Sequence, residues 1–482
     1  MARRSGLPRF ARLLDGWRSK HGRKPRVCYC GGSITAQRSG WRPRVHAWLS
    51  HEHRPSQEAG DMTMINTSVG NVGSKVMAFL TDEWMTEHSP DVVFIETVVN
   101  DGDSLLEDGE PEAVRRALEG VVRRLRTKLP GVEIVFVYML LRDDIPAQRR
   151  TGTKAWADGC VRGAAAVYHR DAVAIHDAVA DHYGCPSISL IKALRGVASG
   201  TLDRLFRDDC HHSGAGAALV SCVVGRCLQS MLGSARSQLE PPLPSVPPPL
   251  DARLWSGGSA LRLAEAQVAF AAGRREAHHT RRDRDPITGK SDEWWLLSPG
   301  DVLTLHFSGN AIGVLTHLGP DAGVVEGEIV LENGGTVPVR RNLFDCWCYY
   351  YRLGVIILAE GLPPGSHMLR AWLSLSPPDR SVLKRPLPRG GGAVQGELKL
   401  WISYYLVMAA SWVDSSRAIA AFPSNDASSS ASVNAGSGRF GAGETVELVA
   451  PPRHEDDSGA RQRPSRAQCL EDIDDDSADE TT

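Results

Sequence analysis

Apolar and polar positions change their period once along the chain, near its middle. Through residues 26–232, short apolar runs alternate with stretches of helical spacing. Runs at 27–30 (VCYC), 62–66, 91–97 (DVVFIET), 133–140 (EIVFVYML) and 172–176 predict strands. Those at 91–97 and 133–140 are nearly continuous, as in strands buried on both faces. Between them, 41–51, 74–87, 110–129, 148–169 and 213–232 predict helices, the third laced with i,i+4 charge pairs. Strand and helix in turn build a parallel sheet with helices on both faces. In such sheets ligands bind beyond the carboxyl ends of the strands.

A proline-dense stretch at 238–250 (QLEPPLPSVPPPL) then predicts an extended, semi-rigid linker. Beyond it, strand follows strand at 302–307, 311–316, 324–331, 349–358, 366–375 and 397–407, with Gly and Pro turns between. That pattern predicts an antiparallel β-sandwich or jelly roll. The Arg/His-rich stretch 278–284 reads as a solvated loop. From residue 415 the chain is rich in Ser, Ala, Gly and Asp and ends in an acidic run, too poor in apolar residues to offset chain entropy. The expected layout is a basic leader (1–25), an α/β domain (26–232), a linker (233–252), an all-β domain (253–413) and a disordered acidic tail (414–482).

Composition narrows the classes. The 482 residues allow two or three domains. With 55 Lys+Arg against 57 Asp+Glu there is no basic footprint, which argues against a nucleic-acid partner. No uninterrupted apolar run reaches the ~18 residues of a membrane span, so no transmembrane segment is expected. The Arg-rich N-terminus lacks the apolar segment of a secretory signal. It reads as a plain leader, with an organellar transit peptide as the alternative and a cytoplasmic location by default. The ten cysteines include the i,i+2 pairs Cys28/Cys30 and Cys346/Cys348, which read as small core hydrophobes rather than a metal knuckle.

Four features of the α/β domain carry chemistry. Gly31-Gly32-Ser33-Ile34-Thr35 follows the first strand and presents the Ser33 hydroxyl and N–H at the sheet edge. The polar loop from Asn66 to Asn71 follows the second strand and offers a backbone donor. Asn100, in V-V-N-D-G after the third strand, offers an amide NH₂. Asp208-Asp209-Cys210-His211-His212-Ser213 feeds a helix that Ser213 can cap. Its D-x-x-H spacing lets a carboxylate hold one imidazole nitrogen while the other takes a serine proton. Two registers satisfy that spacing, Asp208 with His211 and Asp209 with His212. A metal reading of the paired histidines lacks further ligands at metal spacing.

Together the four blocks resemble the GDSL-type, or SGNH, hydrolase family, over about residues 26–232. The resemblance implies a flavodoxin-like three-layer α/β fold and ester hydrolysis by a serine nucleophile. In that family a serine, an oxyanion glycine, an asparagine and a histidine lie on separate blocks. Ser33 matches the serine and Asn100 the asparagine, and His211 to Gly216 matches the family's H-P-[SN]-x-x-G. This register selects Asp208 with His211. The implied triad is Ser33, Asp208 and His211, and the implied oxyanion hole is Ser33 N–H, Asn71 N–H and the Asn100 side chain. Three departures stand out: G-G-S for G-D-S, His212 for proline, and Asn71 for the second-block glycine. Asn tolerates positive φ better than most residues.

No metal or organic cofactor is implied. The all-β part resembles accessory domains next to SGNH esterases, in phrases such as HFSGNAIG at 306–313 and at 349–354. Those domains are carbohydrate-associated. Trp294, Trp295, Trp347 and Tyr349 to Tyr351 are candidates for a sugar-stacking platform, with core and edge packing as the alternative. The expected substrate is therefore a small-acyl (acetyl) ester of a carbohydrate or small molecule. An O-acyltransferase using the same triad, or an inactive glycan-binding protein, is the alternative.

Overall fold

The structure is a computed structural model that describes residues 2–3, 6–56, 59–108, 110–144, 164–194, 204–236, 246–251, 255, 258–262, 267–269, 278–281, 293–383 and 400–408. The expected tail, 414–482, lies outside the described residues.

Six strands form the first sheet: β1 (Ala2–Arg3), β2 (Arg26–Gly31), β3 (Thr63–Asn66), β4 (Val92–Glu96), β5 (Glu133–Tyr138) and β6 (Ser187–Ser189), in the order β1-β6-β5-β4-β2-β3. All pairs are parallel except β1 with β6. Every residue of β4 and β5 is buried, as their unbroken apolar runs require. The chain reverses direction across the sheet between β2 and β4, and the crevice beyond their carboxyl ends is where such folds bind ligands.

Helices cover both faces. On one pack α1 (Pro8–Arg18), α3 (Trp41–His53) and α9 (Gly214–Arg236). On the other pack α4 (Ser74–Trp84), α5 (Val98–Asp108), α6 (Pro111–Lys128) and α7 (Ala164–His182). A single turn, α2 (Ser33–Ala36), follows β2, and α8 (Leu190–Ala193) follows β6.

Three expectations are corrected, and a fourth observation bears on the membrane reading. Residues 8–18 are no leader: α1 buries Phe10, Leu14 and Trp17, and Glu133 accepts the N–H groups of Arg9 (3.2 Å) and Phe10 (3.0 Å) at its start. The strand expected at 172–176 is part of α7, whose Ala172, His176 and Val179 are buried at helical spacing; the sheet instead takes Ser187–Ser189. The part of the predicted helix before residue 164 lies outside the described residues. Residues 278–281 are a strand rather than a loop. Finally, Gly214–Ala235 is long and apolar enough to cross a membrane by length and composition, at mean hydropathy 1.4. Arg226 interrupts its apolar run, and half of it is buried, with Val224, Leu228 and Met231 in the core.

The remaining strands are β7 (Gly258–Arg262), β8 (Gln267–Ala269), β9 (His278–Arg281), β10 (Glu293–Leu297), β11 (Val302–Ser308), β12 (Ala311–Leu318), β13 (Val324–Val330), β14 (Thr336–Asn342), β15 (Arg352–Glu360), β16 (Ser366–Leu373) and β17 (Leu400–Met408). They form two antiparallel sheets, β15-β12-β17-β10-β9 with β7 also on β17, and β14-β13-β16-β11-β8. Leu305, Phe307, Ile329 and Leu369 of one sheet meet Ile312, Val314, Leu358 and Ile402 of the other in one sandwich core.

The first of these sheets is buried on both sides. Its outward residues Ala311, Leu315, Leu353, Leu406 and Met408 join the hydrophobic core of the α/β domain. The end of the proline-rich stretch is likewise docked rather than free. His182 Nε2 bonds Pro248 O at 2.8 Å, and Leu250 N–H bonds Glu119 at 2.6 Å.

Candidate active site

The site forms where β2, β3 and β4 end. Gly32 caps α2, and Ser33 is its first residue, so the Ser33 N–H has no acceptor within the helix. Ser33 Oγ lies 2.8 Å from His211 Nε2. His211 Nδ1 lies 2.8 and 3.0 Å from the two oxygens of Asp208. The Asp208 carboxylate also accepts the backbone N–H of His211 (2.7 Å) and of Cys210 (3.0 Å), which fixes it within its own loop. Burial resists its ionisation, but these N–H groups and the His211 ring outweigh it and hold the carboxyl down at about 2. Asp208 is half-exposed and His211 is a quarter exposed.

The turn after β3 supplies the next element. Val72 N–H bonds Val69 O at 3.3 Å, closing a four-residue turn with Asn71 at its third position. Asn71 is left-handed, with φ 64°, the conformation a glycine or asparagine takes there. A Cβ placed on Gly70 would stand 3.9 Å from Ser33 Cβ, so this turn borders the serine. The asparagine therefore occupies a glycine-like backbone position at the second block.

Asn100 lies on α5 and covers Gly32. A Cβ on Gly32 would stand 1.9 Å from Asn100 Oδ1. The G-G-S departure from G-D-S thus has a steric cause: the amide occupies the space a side chain at residue 32 would need.

The fourth block is shaped by the residues around His211. Ser213 accepts the Gly216 N–H at 3.1 Å and donates to Arg204 O at 2.8 Å. A Cβ on Gly216 would strike Leu205 O at 2.0 Å, which explains the glycine. His212 packs its ring on Phe206, centroids 5.1 Å apart. Burial first, and then the neighbouring His211, hold His212 down at about 4. The structure therefore brings Asp208, His211 and Ser33 together, while His212 faces the core. Asp208, Cys210 and His211 also offer three metal-ligand atoms within 4.8 Å of one another, but the carboxylate and ring are already bonded in the Ser33 chain.

Several neighbours escape a sequence reading. Glu96, the last residue of β4, accepts Gly32 N–H through its backbone (3.2 Å) and Thr35 Oγ1–H through its side chain (2.7 Å). Trp41 Nε1–H bonds the same hydroxyl at 3.1 Å. Burial pushes the Glu96 carboxyl up to about 8, against the opposing hydrogen bonds of Thr35, and so favours its neutral form. Cys210 Sγ lies 3.3 Å from His211 Nδ1, and burial pushes its thiol up. A carboxylate ending an apolar strand just before an N-D-G is the one signal that marks Glu96 in advance.

A parallel three-layer sheet with serine, histidine and aspartate in hydrogen-bond sequence at its switch point defines an SGNH-type α/β hydrolase. Residues 29–219 match the GDSL-like lipase/acylhydrolase family, so this part of the chain is a domain of that family and the protein is an ester-hydrolysing enzyme. No curated protein matches the sequence. A crystal structure of a two-domain esterase active on acetylated mannans, with mannopentaose bound, is similar over 84% of this chain and 96% of its own, at 18% identity and TM-score 0.60. A second crystal structure of a two-domain esterase active on acetylated mannans gives the same coverage and identity at TM-score 0.59. At that identity the likeness shows the fold, including the all-β second part.

Proposed function

We propose that this enzyme removes small acyl groups, acetyl first, from hydroxyls of a carbohydrate, with Ser33 as nucleophile. The observation that carries the reading is the bonded sequence Ser33 Oγ to His211 Nε2 and His211 Nδ1 to Asp208. Ser33 attacks the ester carbonyl while His211 takes its proton. Asp208, ionised throughout the neutral range, holds the imidazole tautomer and stabilises the imidazolium. The N–H groups of Ser33 and Asn71 and the Asn100 amide receive the oxyanion, each worth roughly 3–4 kcal/mol of barrier. His211 then protonates the leaving sugar oxygen, and water resolves the acyl-enzyme by the reverse proton path. The partial exposure of His211 and Asp208 gives that water access to the base.

Two observations support a carbohydrate. The two-domain neighbour with the same pair of folds is described as active on acetylated mannans. In the sandwich, Tyr350 and Tyr351 are 40% and 45% exposed, unusual for aromatics, and sit in a turn held by Asp345, which accepts Trp347 N–H at 2.8 Å and pairs with Arg352. Although part-exposed, Tyr350 is pushed up to about 12 by the burial of its packed side, against the opposing Arg352 and with Tyr349, Asp103 and Asp345 adding to it. Asp103 is one helical turn beyond Asn100, so this aromatic turn is within electrostatic reach of the oxyanion helix. Trp294 and Trp295 lie on β10. In this reading 26–232 with α1 is the catalytic part and 253–413 the accessory one.

The test is acetate release from acetylated mannan and acetylated xylan, beside p-nitrophenyl acetate, for wild type and Ser33→Ala. Release from a glycan that vanishes in the variant is expected. Equal activity in both proteins ends the Ser33 assignment. Hydrolysis of p-nitrophenyl acetate with none on any acetylated glycan ends the carbohydrate reading.

A further inference from the structure

Asp101 follows Asn100 on α5 and is fully buried. Its Oδ1 accepts the Ser74 backbone N–H at 2.7 Å and the Ser74 hydroxyl at 2.9 Å. Its Oδ2 lies 2.8 Å from Nε2 of His176, which is equally buried on α7. Gly73 leaves no room for a side chain, since a Cβ there would stand 2.6 Å from Asp101 Oδ1. One carboxylate thus joins three elements: α5, the start of α4, and α7.

One of the three, α5, bears a proposed oxyanion donor, and the turn leading into α4 bears another. Asn100 is the residue before Asp101, and Asn71 stands three residues before Ser74. The turn holding Asn71 is left-handed and closed by a single backbone hydrogen bond, so its height over Ser33 depends on how the start of α4 is held. We propose that Asp101 is a positioning residue that fixes the spacing between the Asn71 N–H and the Asn100 amide, with His176 as its anchor. The inference rests on the oxyanion assignment made above.

The physical case is one of tolerance. Oxyanion donors act only when they sit about 2.7–3.1 Å from the developing charge. A buried carboxylate receiving three donors resists displacement, because losing any one leaves charge unpaired in a low dielectric. Among the described residues the Asp101 carboxylate bonds Ser74 and His176 and neither Ser33 nor His211, so its effect should pass through the donors and not through the base.

A double-mutant cycle tests this. kcat and KM for p-nitrophenyl acetate are measured for wild type, Asp101→Asn, Asn100→Ala and the double variant, with folding checked by near-UV circular dichroism. Asp101→Asn should lower kcat about tenfold with KM nearly unchanged, and should cost less than about threefold once Asn100 is already alanine. An equal cost in both backgrounds, or no cost in wild type, overturns the inference while leaving the oxyanion reading intact. If Asn100→Ala alone leaves kcat unchanged, the oxyanion reading fails and this inference with it. Should Asp101→Asn not fold, His176→Leu carries the same cycle with the same criteria, since it keeps the carboxylate and removes the donor that anchors it.

Discussion

Two groupings of serine, histidine and aspartate lie in one domain, and they differ in order and in exposure. In the first, His211 stands between Ser33 and Asp208, so a base meets the hydroxyl and a carboxylate meets the base. In the second, Asp101 stands between Ser74 and His176, so the hydroxyl donates to a carboxylate and the imidazole never reaches it. The first is part-exposed at the end of the sheet; the second is sealed between α4, α5 and α7. The same three residue types are therefore arranged as the proposed proton relay in one order and as a buried clamp in the other. Catalytic reading must follow connectivity and access, not residue identity.

The largest expected effect separates the two serines. Ser33→Ala should lower kcat about 10⁴-fold or more, as loss of a triad nucleophile does. Ser74→Ala should lower it less than about tenfold, because the Ser74 backbone N–H still reaches Asp101. Peptide mapping after fluorophosphonate treatment should find the label on Ser33 alone. Label on Ser74, or comparable losses for both alanines, would break the comparison.

How much of this was legible beforehand follows the same line. The parallel strands at 91–97 and 133–140 were plain because burial on both faces leaves an apolar run that no other element mimics in so few residues. Three of the four candidate loops could be placed because each follows a strand, and the fourth, at 208–213, because it feeds a helix. What misled was brevity: AVAIH at 172–176 reads as a strand until its place in a 19-residue helix is known. Residues 1–25 read as a leader because α1 meets the core with few apolar residues and relies on Glu133, over a hundred positions away, to satisfy its first N–H groups. The roles of Glu96, Asp101 and His176 depend on contacts between distant elements, and no local spacing encodes those.

The comparison sharpens at the glycine beside each grouping. Gly32 lies under the Asn100 amide and Gly73 under the Asp101 carboxylate. Gly32→Asp would restore the sequence usual in the family, yet it should lower kcat about 30- to 100-fold by displacing one oxyanion donor. Gly73→Ala should cost about fivefold, since it moves the donors only through Asp101. Steady-state kinetics on p-nitrophenyl acetate decides between them. An active Gly32→Asp would mean that Asn100 can withdraw without loss, and that its position over Gly32 is incidental.

The smallest effect concerns the carboxyl between the two regions. Glu96 holds Thr35, two residues past the nucleophile, and burial raises its carboxyl to about 8. An unfolded glutamate ionises near 4.5. Between those values the folded chain keeps a proton that the unfolded chain has lost. Stability should therefore fall as pH rises from about 4.5 to 8 and level off above. Glu96→Gln keeps an acceptor for the Thr35 hydroxyl and has nothing to titrate, so its own contribution is flat. Other groups act equally in both proteins, His212 among them: held down at about 4, it favours the fold as pH rises towards 6.5. The Tm of wild type minus that of Glu96→Gln, followed by thermal denaturation from pH 5 to 9, should become more negative up to about 8 and then hold constant. Parallel curves across that range would place the ionised carboxylate beside Thr35 at neutral pH. The nucleophile turn would then rest on a charge and not on a neutral acid.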